Sequence, residues 1–196
     1  MRGFSSAINK YQALSFKRLS EKDFSLLCYW LNQPHVRAFY QKQAIDLPAI
    51  RHKYTPRLKS NSTIHCFIIY FNQIPIGYIQ TYLVRDYLDY ASIIGTENGA
   101  CIDLYIGEGA FLKQGLGCLI ELKFLHEITF PITSTDECYI SHAKANLAAL
   151  KSSHKAGFRY LKDVVEDSQI DELLMITKEQ VLFQVAYLSK NNFTEI

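Results

Sequence analysis

The sequence lacks most of the features that would place it in a class at a glance. Its five cysteines (Cys28, Cys66, Cys101, Cys118 and Cys138) form no CxxC pair, so neither a zinc ribbon nor a dithiol redox motif is written in it. Four of them sit in apolar stretches, where a thiol packs as a small hydrophobe, and this usage fits a reducing cytoplasm. The six histidines show no ligand spacing, and no Cys–His–Asp arrangement stands out, which argues against a metal and against a covalent intermediate. Charge of one sign is missing too. Against 21 basic residues stand 19 acidic ones, a net +2 that gives too weak a field to attract nucleic acid or an anionic membrane. Nowhere do about 18 apolar residues run together as a membrane span requires, and Arg2 is not followed by the apolar stretch of a signal peptide. No repeat or low-complexity tract interrupts the chain. These absences predict a soluble, cytoplasmic protein that acts on a small molecule, as a monomer or a homodimer.

What the chain has is apolar surface. With 196 residues, 48% of them hydrophobic, and 13 Tyr and 12 Phe, it can bury one core and has little room for a second. Residues 1–13 read as an N-terminal extension, 14–177 as the domain and 178–196 as a C-terminal tail. A first strand is expected at Leu14–Arg18. Ser20 and Asp23 then have capping-box spacing before the helical period of Phe24, Leu27, Cys28 and Leu31. Pro34 ends that helix, and His35–Arg57 is a helical or irregular stretch rich in aromatics and bases. His65–Phe71 and Ile76–Val84 read as a hairpin, Asp86–Gly99 as a polar loop, and Ala100–Ile106 as a strand. A long apolar helix follows Gly115-Leu116-Gly117 and stops before Pro131, then a short strand at Cys138–Ser141. Asn146–Ala156 begins on a good capping residue and ends at Gly157. Phe158–Val165 and Glu172–Thr177 close the chain as two strands around the acidic turn Glu166–Asp171. The order predicts an α+β fold, one sheet with helices on both faces.

The stretch from Ile106 to Gly117 carries the chemistry. A strand runs through Gly107, Gly109 and Gly115 into a helix whose first turn holds Gly117. Unpaired N–H groups at a helix start favour an anion, and glycine removes the Cβ that would keep a phosphate away. Taken alone, the segment is as readily an ordinary glycine-rich turn.

Together with Asn146-Leu147-Ala148-Ala149 and Lys155-Ala156-Gly157-Phe158, this segment resembles the two cofactor motifs of the GCN5-related N-acetyltransferase (GNAT) superfamily. Gly115 and Gly117 take the glycine positions of its first motif and Leu112 the place of its usual Gln or Arg. The resemblance implies a mixed, mostly antiparallel sheet splayed between its fourth and fifth strands, with acetyl-CoA as cosubstrate in the gap. It implies cofactor contacts from Leu104, Tyr105, Ile106, Leu112, Lys113, Gln114, Gly115, Leu116, Gly117, Cys118, Asn146 and Ser153, mainly through main-chain amides. A bulge near Leu104–Ile106 is expected to aim one N–H at the thioester carbonyl.

Within the superfamily the chain looks most like the aminoglycoside 6′-N-acetyltransferases, enzymes of antibiotic resistance. Gly117 follows Asp103 by fourteen positions, the family's spacing, and Trp30-Leu31, Phe39-Tyr40 and Pro75-Ile76-Gly77-Tyr78-Ile79-Gln80 match as well. The resemblance makes Asp103 the general base, because an amine attacks only after losing its proton. On its own, an Asp in a strand is as readily an exposed edge residue. Two departures stand out: Ser153 where many relatives carry a Tyr that protonates the leaving thiolate, and Ser141 where an acidic residue is common. Tyr40, Gln80, Tyr82, Glu97 and Asp103 are the candidate acceptor-binding residues. Further acidic candidates for a polycation are Asp86, Asp89, Asp167, Asp171 and Glu172. Two other readings compete: a siderophore-type enzyme acetylating a hydroxylated lysine side chain, and a non-catalytic acyl-CoA-binding module.

Overall fold

A computed structural model describes residues 7–166 and 169–190. Its seven strands are β1 (Leu14–Arg18), β2 (His65–Phe71), β3 (Ile74–Leu83), β4 (Ala100–Ile106), β5 (Glu137–Ala143), β6 (Arg159–Glu166) and β7 (Gln169–Thr177). They form one sheet in the order β1-β2-β3-β4-β5-β7-β6. Every neighbouring pair is antiparallel except β4 and β5, which run parallel and share only two register pairs, Ala100↔Cys138 and Cys101↔Tyr139. Beyond these the two strands part, as the family resemblance implies. The helices are α1 (Ala7–Ala13), α2 (Phe24–Leu31), α3 (Pro34–Arg37), α4 (Leu47–Tyr54), α5 (Leu88–Ile94), α6 (Leu116–Phe124), α7 (Phe130–Thr133), α8 (Leu147–Ala156) and α9 (Lys178–Lys190).

Strand alternation sorts the core into two layers. Ile102 is buried among residues of α1, α6, α8 and α9, with Leu104 and Ile106 packed against them. Tyr105 turns to the other face, under α2, α3 and α4, and Cys101 sits on that face under α5. Asp103 shares the face of Cys101 and Tyr105 and falls between those two clusters.

Several segments differ from the sequence reading. Ile8 and Tyr11 bury α1 against the core, and Val181 anchors α9, so residues 7–13 and 178–190 are packed helices. Leu88–Ile94 is helical within the expected loop because Ala91 and Ile94 supply a buried stripe, closed by Gly95 at φ 90°. The β2–β3 connection is only two residues, Asn72 and Gln73, both left-handed (φ 48° and 64°), the backbone that matches hairpin twist. Pro75 therefore lies in β3, opposite a register shift between Ile69 and Tyr70. The long helix does not stop before Pro131. It passes through a π turn at Leu125–Thr129 into α7, whose first turn takes the proline without loss of a helical N–H.

Gly107, just past β4, is required by packing. A Cβ there would stand 2.1 Å from Cγ of Trp30, a fully buried ring whose Nε1 donates to Glu108 Oε1 at 2.7 Å. Gly107→Ala is expected to destabilise the fold by about 1–3 kcal/mol through overpacking. Urea unfolding followed by the fluorescence of the single Trp measures this, and an unchanged midpoint would show that the indole yields freely.

Candidate active site

The parting of β4 from β5 decides which groups are available. Gly107 N–H donates to the Ile76 carbonyl at 2.8 Å, and with the register Gly77↔Ile106 this sets the alternation of the β3–β4 ladder. The N–H and C=O groups of Ile102, Leu104 and Ile106 consequently point away from β3. Since β5 pairs only with Ala100 and Cys101, the main-chain groups of Leu104 and Ile106 face the gap. His35 Nε2 reaches the Ile106 carbonyl at 3.0 Å. The β3–β4 ladder shows no register shift, so the expected bulge near Leu104–Ile106 is absent; divergence of the sheet, and not a bulge, frees the Leu104 N–H.

At the foot of the gap the chain turns into α6. Lys113 (φ 58°) and Gly115 (φ 71°) are left-handed, and Gly115 caps the helix. Among the described residues, the N–H groups of Lys113, Gln114 and Gly115 donate to no main-chain carbonyl, whereas that of Leu112 is taken by the Gly109 carbonyl at 3.2 Å. The first-turn amides of Leu116, Gly117 and Cys118 point along the same axis. Gln114 is held by its own side chain on Ala110 and by Lys10 on its carbonyl, at 2.6 and 2.9 Å. This donor set fits a phosphate group. The two glycines have different duties: a Cβ at Gly115 would meet open space, while one at Gly117 would stand 2.3 Å from Ser152 Oγ. Gly117 thus permits the close approach of α6 and α8. Asn146 caps α8, its Oδ1 accepting from Ala149 N–H at 3.3 Å.

Asp103 is enclosed by groups from β3, α4 and the turns that follow α3 and α4. Gln80 Nε2 donates to its Oδ2 at 2.7 Å, and Gln80 Oε1 in turn accepts from Arg57 Nη1 and from the Tyr78 hydroxyl, both at 2.7 Å. Burial raises the Asp103 pKa above the usual carboxylate range, opposed by the Gln80 and Tyr82 hydrogen bonds and by the nearby Arg57 and Lys53 cations. Desolvation and Arg57 together lower the pKa of Lys53. Tyr40 packs edge-on against Tyr105 at 4.7 Å, and burial raises its pKa, with Asp103 contributing.

The structure therefore brings Tyr40, Gln80, Tyr82 and Asp103 together. Glu97 lies apart, in a groove of about 370 Å³ with Arg85, Asn98, Thr135 and Asp136 at the opposite end of β4. Asp86 and Asp89 are exposed, Asp171 accepts from Gln169 at 2.7 Å, and Asp167 lies outside the described residues. The Tyr105 ring is buried against Tyr78 and its main-chain groups face β3, so contrary to expectation it offers the gap neither side chain nor backbone. Sequence reasoning missed Lys53 and Arg57, whose i, i+4 spacing on an amphipathic segment was the available signal.

It named Ser153 only as a cofactor contact, whereas the structure places it, fully buried, in a polar cluster on the other face with His142 and Glu121, which it missed. Ser153 Oγ lies 2.8 Å from His142 Nε2, and Glu121 is 2% exposed in the middle of α6. Burial pushes the Glu121 carboxyl up to about 8, with the Ser153 and Ser152 hydroxyls close enough to lower it in part. Even so, Glu121 Oε2 and Ser152 Oγ make no well-formed hydrogen bond. Burial, aided by His154, takes His142 down to about 4, which keeps the ring neutral. The signal was Glu121 interrupting the run Leu119-Ile120-Glu121-Leu122.

Comparison with known proteins adds to this geometry. The family model described as an acetyltransferase (GNAT) domain matches residues 20–165. An aminoglycoside N(6′)-acetyltransferase type 1 of Klebsiella pneumoniae is 25% identical over 158 residues, 79% of this chain and 78% of its own length. The structure of aminoglycoside acetyltransferase AAC(6′)-Ib in complex with coenzyme A and kanamycin superposes with a TM-score of 0.71 at 21% identity, covering 85% of this chain and 96% of that one. Spermidine N-acetyltransferase from Vibrio cholerae, in complex with CoA and spermine, gives 0.70 at 15% identity, covering 87% and 99%.

The buried carboxyl gives the fold a pH dependence. Folded Glu121 keeps a proton that the unfolded chain releases above the ordinary value of 4.5, so this residue lowers stability as pH rises from there to about 8. At pH 7 the cost is on the order of 3 kcal/mol. Denaturant midpoints of Glu121→Gln are expected to rise above those of the wild type across this window and to converge with them below it; parallel curves would show an ordinary, ionised Glu121.

Proposed function

We propose that this chain, which belongs to the GNAT acetyltransferase family, transfers the acetyl group of acetyl-CoA to the 6′-amine of an aminoglycoside, with Asp103 as general base. The observation that carries this reading is Asp103 itself, a partly desolvated carboxylate fixed by Gln80 on the strand that borders the gap. The names of the relatives support the acceptor class.

The residues divide the work. Amides from Lys113 to Cys118 hold the diphosphate at the positive end of α6, and Asn146 flanks the arm on the α8 side, whereas Ser153 is fully buried against His142 and does not touch it. When bound, the coenzyme supplies an activated acyl group. The Leu104 N–H, facing the gap, is the donor for the carbonyl oxygen as charge develops there. Asp103 holds the acceptor ammonium, takes one proton and steadies the nitrogen, while Tyr40 and Tyr82 wall the amine. Its raised pKa makes it a stronger base than an exposed carboxylate. Activity should then rise with pH through a value above the usual carboxylate range, as Asp103 loses its proton.

One observation favours a second reading. Lys53 and Arg57 place cations beside Asp103 where a polycation would be better met by carboxylates. An acceptor whose amine shares the molecule with a carboxylate, such as a hydroxylated lysine, would be complementary to all three groups.

Asp103→Asn is expected to lower kcat/KM by roughly 10²–10⁴-fold with coenzyme A affinity unchanged by calorimetry. A thiol-release screen over kanamycin-type amines and hydroxylated lysine separates the two acceptors. Full activity in the Asn variant would remove Asp103 from the chemistry.

A further inference from the structure

Glu121, Ser153 and His142 come from α6, α8 and β5 and meet on the face of the sheet opposite Asp103. His142 lies three residues past Tyr139, the last residue of β5 that pairs with β4, so it stands on the part of β5 that borders the gap. It shares a face with Cys138 and Ile140, which pack toward α6 and α8. No cation pairs with Glu121 among the described residues, and one of its oxygens is left unsatisfied. A helix interior that needed only packing would be served better by Leu or Met at this position, because an unsatisfied buried carboxyl is costly. The retained acid is thus a candidate for a task in the reaction.

We propose that these three side chains form a proton relay to the thiolate that departs when the acetyl group leaves, with His142 the residue that meets the sulfur and Ser153 and Glu121 positioning and recharging it. The inference rests on the acetyl-transfer reading above. The acceptor nitrogen forms the new C–N bond as the C–S bond breaks. The ammonium form first loses one proton through Asp103 to water; after attack the nitrogen's second proton goes to Asp103, and the C–S electron pair goes with the sulfur. His142 gives its Nδ1 proton to that sulfur while its Nε2 takes the Ser153 hydroxyl proton, and Ser153 takes the carboxyl proton of Glu121. The net transfer is one proton from Glu121 to sulfur, with the imidazole left as its other tautomer. Asp103 then loses its proton to water and Glu121 regains one before the next cycle.

The energetics are balanced. A neutral imidazole is a poor acid by itself, but the carboxyl behind it, at about 8, nearly matches a thiol at roughly 8.5, so the summed transfer is close to even. Other titratable groups around the relay are His154 on α8, Glu172 in register with His142 on β7, Cys138 on β5, and Cys118 with Lys155 toward the start of α6.

Two measurements test this on the full chain. Infrared spectra of the free protein should show a protonated carboxyl band that titrates near pH 8 and is missing in Glu121→Gln. In acetyl-CoA assays, kcat of the wild type should fall above that pH. Glu121→Gln, Ser153→Ala and His142→Gln should each lower kcat by about tenfold or more, leave KM for acetyl-CoA within about twofold, and abolish the alkaline fall. A band that never appears, variants that keep the wild-type kcat and alkaline limb, or variants that raise KM without touching kcat would each overturn the relay. Asp103→Asn should erase the acid limb alone. If that substitution leaves activity unchanged while the relay variants lose kcat, the base assignment fails and the relay stands; a protein that releases no thiol with any amine sinks both.

Discussion

The parting of β4 from β5 after two register pairs is the constraint on which this site depends. A strand in mid-sheet ordinarily has both edges satisfied, and an unsatisfied main-chain group in the interior is expensive. Here β4 keeps an unbroken ladder with β3 and gives up its other edge from Leu104 onward. The open edge is tolerable only where solvent or a ligand supplies partners. The two layers of helices hold the breach in place, with α6 and α8 packed together on one face and α2 to α4 on the other.

Because side chains alternate along a strand, the breach has two chemically different walls. Odd positions of β4 deliver Asp103 to the side of Gln80, Tyr82 and Arg57. Even positions of β4 and β5 deliver apolar residues, and at the end of β5 they deliver His142 to Ser153. A one-residue slip of either strand would exchange these walls, so the register pairs at the start of the gap fix the chemistry as firmly as the side chains do. Gly117 belongs to the same constraint, since the close contact it permits with Ser152 sets how deeply α8 lies under the gap.

Much of this was legible in the residues, for stated reasons. Strands β2 and β4 have local patterns strong enough to fix their bounds, and the capping of α8 by Asn146 and Gly157 is a local rule obeyed locally. Asp103 was a candidate base only through the family resemblance, by its spacing to Gly117. Hidden were the features that arise from tertiary packing: α1, α5 and α9 owe their helicity to a few buried side chains, and the Leu104 donor comes from what β5 fails to do. Lys53 and Arg57 are far from Asp103 in sequence, and only the fold brings Arg57 to Gln80 and both cations near Asp103. Glu121 was visible as a charge in an apolar run, but its meaning required its neighbours Ser153 and His142.

The cations beside Asp103 bear on nucleophile activation in a way that a purely acidic pocket would not. A carboxylate alone binds the ammonium form of an acceptor well and, by stabilising it, makes the free amine harder to reach. Arg57 and Lys53 act in the opposite sense: their field disfavours a second positive charge, so an amine held at Asp103, as proposed, would give up its proton more readily, while the same field lowers the pKa of Asp103 against the effect of burial. In that reaction some ground-state affinity for a cation would be given up and nucleophilicity gained, a trade that raises kcat at the expense of KM. The pairing of Lys53 with Gln41 at 3.4 Å and of Arg57 with Gln80 leaves both charges in place without neutralising either. In the proposed reaction the acceptor side of the gap would thus be tuned for releasing a proton, and the Glu121 side for supplying one.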